Sequence, residues 1–255
     1  MSKKNRQVVV QGMGFRFGYL KITYFYELPK IFDMQLPNDL YSFLSDLQQN
    51  NNRDWFTNHK LRFKSIETQV KAFGEQLKDY LNHHDHIDRF KLFRIYRDVR
   101  FSKDKTPYKT HFGLTWHRAK PLYRGGYYLH LSPGNNFLAC GFWDPNPEDL
   151  KRIRQEIDID GGEYRSILHN KTFKSVWGEL QGEAVKTAPK GYAKDHPNID
   201  LLRYKQHIFM IRYTDKEVAA TDFMDRVNNA LQAVRPFVNY MSAVLTTNAD
   251  GESII

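Results

Sequence analysis

Apolar positions first fall into a helical period at Leu40, Phe43, Leu44 and Leu47, the i, i+3, i+4, i+7 spacing of a helix with one buried face. Asn50-Asn51-Asn52 ends it. A longer amphipathic run follows from about Arg53 to Leu81, with Trp55, Phe56, Phe63, Ile66, Val70, Phe73, Leu77, Tyr80 and Leu81 at helical intervals, so the pattern predicts an N-terminal helical pair. After His83-His84-Asp85-His86 the pattern changes to alternation. Phe93, Ile95, Val99 and Phe101 fall on one side and Arg94, Tyr96, Asp98 and Arg100 on the other, which predicts a strand from Lys91 to Phe101.

Further strands are expected near Phe112 to His117, Gly126 to Ser132, Phe137 to Trp143 and Gln206 to Tyr213, separated by Pro107, Gly125-Gly126 and Pro133-Gly134-Asn135. Short turns between consecutive strands imply antiparallel pairing. Asn146-Pro147-Glu148-Asp149 opens a helix, with Asn as N-cap, Pro at the first helical position and acids in the first turn. A shorter helix is expected from Gly162 to His169, and a long C-terminal one from about Ala219 to Leu245, kinked at Pro236. The order predicts an α+β domain: an antiparallel sheet of about five or more strands packed with the N-terminal helical pair and the long C-terminal helix.

Residues 1–33 read differently. Lys3, Lys4, Arg6, Arg16, Lys21 and Lys30 against Glu27 and Asp33 give the segment a charge of +4, and Gly12, Gly14 and Gly18 interrupt any period. It is expected to be a disordered extension or a mis-annotated start upstream of Met34, the alternative being a basic arm that orders on a partner. Residues 34–250 are expected to form the single α+β domain. At 255 residues with 41% apolar and 15% aromatic side chains, the chain has material for a substantial core. Its single cysteine, Cys140, excludes an intrachain disulfide and a cysteine zinc cage, and sits in an apolar strand as a small core residue. No stretch approaches the ~18 uninterrupted apolar residues of a membrane helix. The expectation is a soluble, cytoplasmic protein with no membrane partner.

Charge is concentrated in one place. Between Arg89 and Arg124 stand eleven Lys/Arg against two acids, Asp98 and Asp104, a surplus equal to the formal net charge of the whole chain, +9. At its centre runs Arg97-Asp98-Val99-Arg100-Phe101-Ser102-Lys103-Asp104-Lys105-Thr106-Pro107-Tyr108-Lys109. With Asn52-Arg53-Asp54-Trp55-Phe56 before it and Gly126-Tyr127-Tyr128 after it, this motif resembles the bacterial and fungal family known as domain of unknown function 2461, over roughly Leu36 to Thr247. The resemblance implies a shared fold and a shared site, and names no reaction.

The chemistry of the motif points to an anion, because a concentrated positive field gathers anions and arginine forks orient phosphate or carboxylate. Arg94, Asp98 and Arg100 on one strand face predict an Arg-carboxylate-Arg row, with Arg97 on the opposite side unless a bulge intervenes. Ser102, Lys103, Asp104 and Lys105 read as a hairpin turn whose hydroxyl, amides and ammonium groups contact the ligand, Asp104 either closing the turn or accepting a metal. Tyr108, Lys109 and His111 belong to the return strand and complete the expected ligand-binding set. A polar sheet face with Arg-Asp pairs is the ordinary structural alternative.

His83, His84 and His86 fit a helix exit better than a metal site, and no metal is expected. His111, His117 and His130 are candidates for acid-base work across adjacent strands. No glycine-rich phosphate loop, Gly-x-Ser-x-Gly elbow or His-Glu-x-x-His helix is present, so the sequence names neither a reaction nor a cofactor. Two functions survive: binding of a small anionic, phosphorylated ligand, and binding of nucleic acid by the same cations with Tyr96, Phe101, Tyr108 or Tyr128 stacking on bases. Neutrality outside the motif favours the first.

Overall fold

The computed structural model describes residues 34–248 and 250–255, so the expected N-terminal extension lies outside the described residues. In chain order the elements begin with α1 (Leu40–Gln49), α2 (Arg53–Asn58) and α3 (Lys60–Leu81), then β1 (Ile87–Leu92), β2 (Phe112–Arg118), β3 (Gly126–Leu131) and β4 (Asn136–Phe142). There follow α4 (Pro147–Ile159), α5 (Gly161–His169), α6 (Lys171–Trp177), α7 (Ile199–Leu202), β5 (His207–Tyr213), α8 (Asp215–Val218), α9 (Phe223–Ala233) and α10 (Arg235–Thr246). The strands form one antiparallel sheet in the order β1-β2-β3-β4-β5, so the class is α+β, as the patterning predicts.

Local chemistry explains where the helices begin and break. The Asn52 side chain accepts from Trp55 N at 2.9 Å to cap α2, and Asn146 accepts from Asp149 N at 2.9 Å to cap α4 ahead of Pro147. The run expected as one helix from Arg53 to Leu81 divides at His59, whose imidazole stacks on Trp55 at 4.0 Å and engages the Trp55 carbonyl oxygen at 2.8 Å. The expected long C-terminal helix likewise divides at Val234. Pro236, in the first turn of α10, has no N–H to continue the ladder of α9, so the chain restarts there.

One sheet face is the core. Phe112, Leu114, Trp116, Tyr127, Leu129, Leu138 and Phe209 are buried on it beneath α3, α9 and α10. Aromatic contacts tie the layers: Phe63 stacks on Phe112 at 6.1 Å, Phe73 on Phe223 at 6.1 Å, and Phe209 meets Phe237 edge-on at 5.0 Å. Cys140 is buried on this side, the small core residue expected, and burial pushes its thiol well up.

The opposite, outer face remains partly exposed and carries rows of residues set by the register. Lys91, Thr115, Tyr128, Ala139 and Met210 form one row across all five strands, and Gly113, His130, Phe137 and Arg212 form the next. The first strand differs from its expected position. It occupies Ile87–Leu92, and a register shift between Ile87 and Arg89 breaks the period that would have revealed it. Residues 93–101, expected as strand, are irregular.

Candidate functional site

Residues 93–111 leave the sheet between β1 and β2 as a ragged hairpin. Phe93 N still donates to Gly113 O at 2.9 Å, Lys109 N to Ile95 O at 2.7 Å and Arg97 N to Pro107 O at 2.9 Å, with one bridge pairing Tyr96 and Tyr108. Asn51, in the α1–α2 connection, holds the return limb: its amide donates to Tyr108 O at 2.9 Å and its carbonyl accepts from Tyr108 N at 3.1 Å, as a neighbouring strand would. Tyr108 is thereby seated on Phe56, ring to ring at 4.0 Å. The asparagines that end the first helix thus have two further tasks, Asn51 clamping the hairpin and Asn52 capping α2.

At the tip the motif satisfies its own charges. Arg100 forks onto Asp98 at 2.9 and 2.6 Å, and this hydrogen-bonded guanidinium holds the Asp98 carboxyl below its ordinary range. Arg97 donates to Asp104 and to the Thr106 hydroxyl. The Thr106 backbone amide, at 2.9 Å, and Arg97 hold Asp104 at about 2, so Asp104 closes the turn in the Asx manner. Lys105 Nζ donates to Val99 O at 2.9 Å, while Ser102 and Lys103 sit in the tip. The expected Arg-carboxylate-Arg row is reduced to the pair Asp98–Arg100, with Arg94 near enough only to act on Asp98 through its charge. Phe101, expected on the strand face opposite Asp98 and Arg100, is 96% exposed, because the chain has left the sheet before reaching it.

The root of the hairpin is different. Lys91 Nζ and Lys109 Nζ stand 4.9 and 5.5 Å from the ring centre of Phe93. Partial burial, then Arg94, then Lys91 lower the Lys109 ammonium below its ordinary range; the charges acting on it are all positive. Among the described residues, none of Lys91, Arg94 and Lys109 has a carboxylate within 4.0 Å. His111 lies against His130, rings 4.3 Å apart, and burial, His130 and Lys109 hold it at about 4. His130 stacks on Phe137 at 4.7 Å, and its Nδ1 shares a 3.0 Å hydrogen bond with the Tyr128 hydroxyl. Lys109 and His111 also border a cleft of about 440 Å³ that runs past Tyr108, Arg97 and Asn51.

The remaining candidates separate. His117 shares the outer face but pairs with Arg89 and Gly126 at the far end of β2, away from His111 and His130. His84 meets Asn228 at 3.0 Å and His86 stacks on Tyr123 at 4.3 Å, so the histidine run diverges. Among the described residues no group of three or more His, Cys, Asp or Glu is placed to hold a metal ion.

Two cations of the basic segment are internal. Arg118 is buried on Asp85, and Arg124 pairs with Asp149 at 2.5 Å. Alternation marks Arg118 as inward only once the register of β2 is known, and its partner Asp85 hides in the histidine run.

Among the described residues no helix is long and apolar enough to cross a membrane. No curated protein and no solved structure matches the chain. The model of the family described as conserved hypothetical protein (DUF2461) matches residues 39–240, most of the length, and the chain belongs to that family.

Proposed function

We propose that this protein binds a small ligand through an anionic group, and that the anion sits at the root of the hairpin, on Lys91, Arg94 and Lys109, rather than at its tip. The observation that carries this reading is the contrast in pairing. Arg97 and Arg100 each hold an aspartate of the motif, whereas the root cations crowd one another with no carboxylate within ion-pair distance among the described residues. Like charges brought together, with Lys109 partly desolvated among them, oppose folding, and an anion of the phosphate or carboxylate class relieves that repulsion on binding. His111, His130 and Tyr128 stand beside the cluster as neutral hydrogen-bonding groups.

Calorimetric titration with inorganic phosphate and pyrophosphate tests the reading. Lys109→Met is expected to weaken binding at least tenfold while melting no lower than the parent, because it removes a repelled charge. Arg100→Ala is expected to leave affinity within about twofold. Equal binding by Lys109→Met and the parent would sink the proposal.

Nucleic acid remains the second reading, favoured by the rings of Phe93, Tyr128 and Phe137 on the outer face with Arg212 paired to Phe137 at the far edge. A backbone-tracking site would show affinity falling steeply with salt, with a log-log slope of several units. Submicromolar binding of one oligonucleotide at physiological salt would promote it above the small-ligand reading.

A further inference from the structure

The outer face holds a hollow of about 490 Å³ beside the cation cluster. Its floor comes from residues with little or no side chain: Gly126 on β3, Ala139 and Gly141 on β4. Two of these are small because the backbone requires it. Gly141 has φ +116°, and a Cβ there would stand 2.2 Å from His207 O, while one on Gly126 would stand 2.7 Å from Trp116 O. Ala139 lies in regular strand between Tyr128 and Met210. The walls are Phe137, Met210, Ile208 and Trp143, the last 61% exposed at the rim. Thr115 also lines the hollow, with its hydroxyl donated to Tyr127 O at 3.0 Å. No carboxylate lines it among the described residues.

Position joins this hollow to the cations. Lys91 pairs with Thr115 across β1 and β2, so the ammonium-bearing strand lies one strand spacing, about 4.8 Å, outside the hollow's edge. Tyr128 forms part of both, lining the hollow and reaching His130 with its hydroxyl. A volume of this size takes one small molecule, and the lining is largely apolar, with Thr115 and Tyr128 toward the cations and His117 beside Gly126 at the other end.

We infer that the hollow receives the flat, unsaturated body of the ligand whose anionic group rests on Lys91 and Lys109, so that the substrate class is an aryl or heteroaryl phosphate or carboxylate rather than a bare inorganic anion. The inference rests on the anion-binding reading above. Charge complementarity selects this occupant: cations stand at the β1 edge, the hollow is apolar, and a molecule anionic at one end and aromatic at the other matches both.

The full chain is titrated with 4-methylumbelliferyl phosphate and, separately, with inorganic phosphate. The expected result is at least tenfold tighter binding of the aryl phosphate. Ala139→Leu, which puts a side chain into the hollow, is expected to erase that difference and leave phosphate affinity within twofold. Trp143→Ala, at a position 61% exposed, is expected to reduce the aryl preference several-fold at an unchanged melting temperature, and it carries the test if Ala139→Leu melts early. Equal affinity of the parent for the two probes overturns the hollow while the anion site stands. Failure to bind either probe removes the anion reading, and this inference falls with it. A dimer in sedimentation that Ala139→Leu dissociates would make the hollow an interface between copies and overturn the proposal.

Discussion

Arg118 and Asp85 show how little a residue's type says about its task. Arg118 stands among the cations of the basic segment, yet its side chain is fully buried and its guanidinium is hydrogen-bonded at all three nitrogens. Nε reaches Asp85 at 3.1 and 3.0 Å, one terminal nitrogen reaches Arg124 O, Val238 O and Ser242 Oγ at 3.1, 2.9 and 2.9 Å, and the other reaches Asn239 Oδ1 at 2.6 Å. Asp85 also receives Arg235 at 3.0 Å and the Tyr127 hydroxyl. This single carboxylate therefore bridges two guanidinium groups where α3 leaves for β1 and α10 passes over β2. Asp85→Asn keeps the shape and removes the charge, leaving the buried Arg118 and the partly buried Arg235 without a counter-ion. It is expected to destabilise the protein by about 3–5 kcal/mol, measured as a drop in urea midpoint at unchanged m-value. A loss below about 1 kcal/mol, the range of an exposed ion pair, would show that the network does not hold these elements together.

Among the elements, α3 packs on β1 through Gly74. A Cβ on that residue would lie 2.1 Å from the Phe90 ring, and the Gly74 carbonyl oxygen accepts from Trp116 Nε1 at 2.9 Å. Helix propensity alone would favour alanine there by about 1 kcal/mol. Packing outweighs it, since Phe90 is wedged against Trp116 at 5.5 Å and must be displaced. Gly74→Ala is expected to lower stability by about 1–3 kcal/mol, and Phe90→Ala in the same chain to recover part of that loss in a double-mutant cycle. Additive effects of the two changes would refute the contact. The ragged hairpin illustrates the same competition. Alternation from Phe93 to Phe101 is strand grammar, but Asp98 and Asp104 lie close enough in sequence to bind Arg100 and Arg97, and these local pairs replace ladder hydrogen bonds at the tip.

At the scale of the whole molecule, histidines make stability depend on pH. Burial holds His207 at about 3, and burial with His130 and Lys109 holds His111 at about 4. Unfolded histidine titrates near 6.5, at about one proton per residue. Both folded values are depressed, so the unfolded chain binds more protons as pH falls below about 6.5. Stability is complete above that value, declines toward pH 4 for His111 and continues to decline toward pH 3 for His207. A fully neutral buried histidine contributes a slope of about 1.4 kcal/mol per pH unit. Urea unfolding at pH 7, 6 and 5 is expected to show this decline, and His207→Leu to reduce its slope by about one proton. A flat profile from pH 7 to 5 would contradict the depressed values. Phosphate at the hairpin root is expected to lessen the loss due to His111, because an anion favours its charged form.

Periodicity and caps determined most of the architecture from the sequence alone. The face of α1, the start of α4 at Asn146-Pro147 and the strands β2 to β5 are local events, decided by side-chain spacing and by which neighbours satisfy backbone groups. The basic motif was equally legible as composition. What its cations do was not, because pairing depends on where the chain turns: Arg97 and Arg100 find aspartates within the hairpin, Arg118 finds Asp85 across the core, and Lys91 and Lys109 meet only when β1 and the return limb converge on Phe93. The hollow was hidden for the same reason. Gly126, Ala139 and Gly141 are unremarkable in a linear chain, and only the register of β3 on β4 sets them side by side in one hollow with Trp143. Local spacing decides which face of an element is apolar, whereas a site is a coincidence of distant residues that tertiary packing alone brings together.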